Sequence, residues 1–151
     1  MNIIKKLFFY ILLITLGSCG YEPIYSGKIN IISSIQDFQI EGDKNLNRKI
    51  ISSLNLKKQN KTGGYKLTIN SSKEIAVAAK DAAGNISVYR TSVTVKVSLL
   101  NKNKIVKEKS FSSSFAYSNT ENKFDLSQYQ RNIEKNLIDE IIEEIYIFLT
   151  L

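Results

Sequence analysis

Asp139, Glu140, Glu143 and Glu144 set two pairs of carboxylates four residues apart. On a helix such pairs project from neighbouring positions, the spacing by which acids share a cation or relay a proton. The usual zinc sets also need His or several Cys, and this sequence of 151 residues has no His and one Cys. Missing His also excludes Ser-His-Asp and Cys-His nucleophiles. Ser110, Ser112, Ser113 and Ser114 thus have no base to activate them, and they read as the wet side of a strand. Gly63-Gly64 has no Lys-Ser after it and no strand-to-helix frame, so it is a turn and not a phosphate loop. The four acids face away from an apolar stripe, the ordinary pattern of a solvated helix face. The expectation is no catalysis and no metal; a lipid-anchored hydrolase is the weakest alternative.

The single Cys, Cys19, is placed where its chemistry has a use. Lys5 and Lys6 precede an apolar run, Leu7–Leu16, which at 1.5 Å per residue is too short to cross a bilayer. It fits a secretory signal. Leu16-Gly17-Ser18-Cys19 then resembles the bacterial lipobox. There, small residues let a peptidase close on the backbone, and a thiol is the group that can be alkylated to diacylglycerol. The expected layout is a signal peptide over 1–18 and one mature domain over 19–151. Cys19 carries a diacylglycerol thioether and an N-acyl chain, and no other cofactor is expected. Two or more acyl chains give stable anchoring. Gly20 stands where an Asp would mark inner-membrane retention, which favours the periplasmic face of the outer membrane.

The net charge is +7, which suits an anionic partner. Arg48, Arg90 and Arg131 are the only arginines, too few for base reading, so nucleic acid is not expected. Lys80, Arg90, Lys96, Lys102, Lys104, Lys107 and Lys109 lie on or near predicted strands and turns. They either guard strand edges or hold phosphate, and Lys80, Arg90 and Lys104 are the candidate contacts.

The elements that would position these groups follow from periodicity. Ser26–Ile35 alternates as a strand, and Glu41-Gly42-Asp43 is a turn. Asp43 caps a helix over about Lys44–Leu54, with Leu46, Ile50 and Leu54 four apart. Asn60–Gly64 breaks the chain. Leu67, Ile69, Ile75 and Val77 share one parity, and Val93, Val95, Val97 and Leu99 another run of alternation. With turns at Lys80–Asn85 and Asn101–Lys104, and a last strand near Ile105–Tyr117, this is a three-stranded meander. Leu126, Tyr129, Ile133, Leu137, Ile141, Ile145 and Phe148 form the stripe of a long last helix. The order β-α-β-β-β-α predicts an α+β two-layer sandwich, a four-stranded, mostly antiparallel sheet with both helices on one face.

Cys19-Gly20-Tyr21-Glu22-Pro23-Ile24-Tyr25 resembles the mature start of the LptE family, the lipopolysaccharide-assembly lipoproteins, with Tyr for Phe and Ile for Leu. The element order is also similar across 19–151. The resemblance implies a non-catalytic plug and assembly partner of the LptD β-barrel that touches lipopolysaccharide in transit. It carries over Cys19 alone. The alternative is a generic outer-membrane lipoprotein adaptor, a pilotin-like escort of another envelope assembly.

Overall fold

The computed structural model describes residues 31–59 and 63–151. A 3-10 turn, Ile31–Ser34, leads into β1 (Ile35–Gly42), α1 (Lys44–Ser53), β2 (Tyr65–Lys80), β3 (Ile86–Asn101), β4 (Lys104–Ser118) and α2 (Lys123–Thr150). The strands lie in the order β1-β2-β3-β4. β1 runs parallel to β2, and the other neighbours are antiparallel. The expected α+β architecture is present, with α1 packed on β1 and β2, and α2 on β3 and β4.

One face of the sheet supplies the core. Leu67 and Ile69 of β2, Val93, Val95, Val97 and Leu99 of β3, and Phe111 of β4 are buried beneath the helices. α1 adds Leu46 and Ile50, and α2 adds Ile133, Leu137, Ile138, Ile141, Ile145 and Leu149. The α2 stripe is wider than the sequence spacing implied. Ile138 and Leu149 belong to it, whereas Tyr129 is half exposed and meets the Tyr117 ring edge-on at 5.9 Å. Ile75 and Val77 keep the parity of Leu67 but reach past the helices into solvent.

The first strand differs from the expectation. It begins at Ile35, where Ser26–Ile35 was expected to end, and runs through Glu41, expected to be turn. The part of that expectation at 26–30, with Cys19 and the signal segment, lies outside the described residues, as do 60–62 of the predicted break. A register break falls between Ile35 and Asp37. It moves the inward parity from Ile35 to Phe38 and Ile40, which pair with the inward Leu67 and Ile69. A bulge of this kind erases the period-2 signal.

Both helix starts are set by side chains. Asp43 accepts from the amides of Asn45 at 2.8 Å and Leu46 at 3.0 Å. Asn122 does the same for Phe124 at 3.0 Å and Asp125 at 3.4 Å, which starts α2 three residues before Leu126. α1 is also tied to β2 by a buried polar contact, Ser71 Oγ donating to Asn47 Oδ1 at 2.9 Å. Asn47 Nδ2 in turn donates to the Glu41 carbonyl at 2.8 Å, so the buried amide is used at both ends.

Candidate functional site

The carboxylates on α2 do not converge. Asp139 turns towards α1 and pairs with Lys49 at 2.8 Å. Glu140 turns the other way and accepts from Ser113 Oγ at 2.7 Å, while Glu144 approaches Lys109 at 4.0 Å. These acids fasten α2 to its two neighbours. Among the described residues no group of three or more His, Cys, Asp or Glu could hold a metal. Ser110, Ser112 and Ser114 point to the face of the sheet without helices, and Ser113 points to α2.

That helix-free face is polar along most of its length. Cross-strand rows read Glu41–Asn70–Lys96–Ser110, Ser72–Thr94–Ser112 and Glu74–Ser92–Ser114. The side chains bond to one another within the face. Thr94 and Ser112 hydroxyls meet at 3.2 Å, and Asn70 Nδ2 donates to Glu41 at 3.3 Å. Glu108 accepts from Ser98 Oγ at 2.7 Å and pairs with Lys96 at 2.9 Å. These two donors hold the Glu108 carboxyl below its usual range. An ordered polar sheet face of this kind offers a wet, firm contact surface.

Several cations of the basic set are already engaged. Lys96 pairs with Glu108; Lys109 lies 4.8 Å from the Phe111 ring centre and Lys107 5.7 Å from that of Phe148. Lys80, Arg90 and Lys104 have no ion-pair partner among the described residues. They do not form one cluster. Lys80 ends β2 opposite Ile86, and Arg90 lies on the helix-free face between Ala76 and Ala116. Lys104 pairs with Asn101 at the other end of β3. At roughly 3.3 Å per residue, the β3 positions 90 and 101 are about 36 Å apart. The meander therefore presents two basic ends.

The two ends differ in construction. At the first, Asp81 Oδ1 accepts from the amides of Ala83 at 2.9 Å and Asn85 at 2.8 Å and organises the turn beside Lys80. The Asn85 amide, aided by the other turn donors, holds the Asp81 carboxyl below its usual range. A lowered folded-state pKa means that the turn's ordering is complete above the unfolded value and is lost as pH falls through the folded one. The protection of the Asn85 amide should therefore be lost in the acid range as Asp81 takes up its proton, more than that of neighbouring strand amides. Asp81→Ala should lack this protection at every pH. At the second end, Lys102 and Asn103 take positive φ, 48° and 62°, in the two-residue turn before Lys104. This tip exposes Lys102 and Lys104 with no acid inside the turn.

Sequence reasoning found Lys80, Arg90 and Lys104 but gave no distance between them, although a meander already sets its consecutive turns at opposite ends. It also missed a groove of about 490 Å³ between β1 and α1, lined by Ile40, Lys44, Arg48, Ile51 and Ser52. The signal for that is present in Lys44 and Arg48, four apart on a predicted helix, but the sequence pattern puts no strand at Ile40.

No family model matches the chain, and no curated protein matches it by sequence. Its fold is that of several solved lipoproteins. Rare lipoprotein B of Shewanella oneidensis is 14% identical with a TM-score of 0.56, over 72% of this chain and 89% of that one. A minor lipoprotein of Acinetobacter baumannii is 14% identical with a TM-score of 0.58, over 76% and 90%. Lipoprotein B of Nitrosomonas europaea is 11% identical with a TM-score of 0.58, over 77% and 83%. At these identities the likeness is one of fold.

Proposed function

We propose that the chain is a lipid-anchored, non-catalytic protein of the outer membrane. It seats in an LptD-type β-barrel, helps that barrel assemble, and contacts lipopolysaccharide on its way to the cell surface. The observation that carries this is the stretch Cys19–Tyr25 at the head of a domain with the fold of solved lipoproteins. The helix-free sheet face supports the seat, because the lumen of a large barrel is polar and this face is a bonded layer of Ser, Thr, Asn and paired charges. Lys80 and Arg90 at one end, and Lys104 at the other, are the groups for phosphate. No covalent step is asked of the protein, and its acyl chains on Cys19 serve as anchor.

Affinity purification of the tagged full chain from detergent-extracted membranes tests this directly. An outer-membrane barrel should co-purify in near-equal amount, with lipopolysaccharide. Recovery of another envelope assembly, and no barrel, would reject the plug and favour the pilotin-like adaptor. Cys19→Ala should abolish incorporation of labelled fatty acid. Lys80→Glu with Arg90→Glu, and separately Lys104→Glu, should lower lipopolysaccharide recovery and leave barrel recovery intact. Raised salt should weaken the same contact, since exposed charges are screened over about 8–10 Å near physiological ionic strength. Unchanged lipopolysaccharide recovery in both variants would keep the plug and discard these cations.

A further inference from the structure

We propose that the β3–β4 hairpin tip lies on the phospholipid leaflet that holds the acyl chains of Cys19, a contact that rests on the anchor proposed above and on no other part of that function. Ile105 and Val106 enter the acyl boundary, and Lys102 and Lys107 meet anionic headgroups. The described chain begins at this end of the sheet. Ile35, Tyr65, Asn101 and Lys104 stand in one row across all four strands. The 3-10 turn Ile31–Ser34 leads directly into that row, so the chain enters the domain at the hairpin tip and not at the Lys80 end. From Cys19 to Ile31 is twelve positions, a reach of at most about 43 Å. An anchor on Cys19 therefore holds this end close to the leaflet.

The tip has the composition of a membrane interface. Lys102-Asn103-Lys104-Ile105-Val106-Lys107 sets two aliphatic residues between cations. Ile105 is 60% exposed and Val106 55%, and the register break leaves Val106 opposite no residue of β3. Guarding a strand edge accounts for the lysines, but not for two aliphatic side chains held in water between them. The apolar surface continues onto the end of α2. Ile147 and Leu151 are exposed there, and Lys107 Nζ lies 5.7 Å from the Phe148 ring centre. Nearby Glu108 and Glu144 face Lys96 and Lys109, whereas Lys102 and Lys107 have no ion-pair partner among the described residues. At a lipid surface, aliphatic groups enter the acyl boundary while Lys stems reach back to phosphate. An anionic leaflet also attracts such a cluster over a Debye length.

Seating in a barrel leaves this contact open. β3 has 16 residues, about 50 Å at roughly 3.3 Å each, against an apolar barrel band about 25 Å tall. One end of the sheet then stands beyond the band, and the reach from Cys19 makes it the tip. Lys104 keeps the lipopolysaccharide contact assigned above and is left unchanged in the test.

The test uses the mature, lipidated chain, whose Cys19 thiol is blocked by its thioether. Ile105→Cys, or Ala83→Cys at the opposite turn, carries a nitrobenzoxadiazole probe; both positions are exposed, so neither change disturbs the core. Each protein is reconstituted in vesicles of phosphatidylethanolamine and phosphatidylglycerol without lipopolysaccharide, and nitroxide-bearing lipid is the quencher. Quenching at position 105 should exceed that at 83 at least about twofold, because only the first probe enters the leaflet. Lys102→Glu with Lys107→Glu should remove the excess, as should phosphatidylcholine in place of phosphatidylglycerol. Equal quenching at the two positions in a chain that floats with the vesicles would overturn this contact and leave the anchor standing. A chain that does not float would overturn the anchor and this contact together. An excess that survives the double reversal, or that arises only when lipopolysaccharide is added, would also overturn the proposal.

Discussion

Gly42→Ala is expected to be among the most damaging single-methyl changes in the described chain. Gly42 ends β1 with φ at 87°, a conformation that costs an L side chain about 1 kcal/mol or more. The larger effect is contact. A Cβ there would lie 1.8 Å from the Ser71 carbonyl oxygen. That oxygen accepts from the Asp43 amide at 3.0 Å, and the Ser71 hydroxyl holds the buried Asn47 at 2.9 Å. The strand must shift and loosen the cap of α1 with it, an overpacking cost of about 1–3 kcal/mol. The total loss should be about 2–4 kcal/mol, read as a lower denaturant midpoint at unchanged slope. Gly84→Ala provides the comparison. Its φ is 85°, but nothing lies within 4 Å of the added methyl, so it should lose about 1 kcal/mol from backbone alone. Equal effects from the two would refute the close-approach argument.

Ile145→Ala should cost about 2–5 kcal/mol, the range for emptying a core aliphatic site. Ile145 is fully buried among the apolar residues shared by α2 and the sheet. Ile147, two residues on, is 53% exposed on the same helix, so Ile147→Ala should lie within about 0.5 kcal/mol of the unchanged protein. Paired denaturant titrations of the two variants check the orientation of α2. Similar midpoints for both would mean that the helix is rotated from the position described here.

The meander and the long helix were legible because their periods are strong and uninterrupted. Val93, Val95, Val97 and Leu99 alternate without a break, and each is buried. The α1 cap was legible for a similar local reason, since Asp43 sits directly before the residues whose amides it accepts. β1 was not legible, because the break at its first residues takes Ile35 out of step with Phe38 and Ile40, leaving only two apolar residues in phase before the Glu41-Gly42-Asp43 turn signal. Burial could not be read from parity alone either. Leu67 and Val77 have the same inward sense, but a helix covers the first and not the second, and that depends on where α1 starts. For the candidate site, residue type was readable and geometry was not. The unpaired cations were named from sequence, and a meander sets its consecutive turns at opposite ends, but the length between them required the register of β2, β3 and β4.

The parallel placement of β1 also bears on the order in which the chain assembles. β3 and β4 are joined by two residues, Lys102 and Asn103, whereas Ile35 must find Tyr65 from thirty positions away through the α1 crossover. Closing the longer loop costs more entropy before any contact repays it. The meander with α2 should thus form the transition state, and β1 with α1 should dock after the barrier. Substitutions in the docking unit would then appear in the unfolding rate and leave the folding rate nearly unchanged. Gly42→Ala in a stopped-flow chevron should steepen the loss of the native state without delaying its formation, while Ile145→Ala should slow refolding as well.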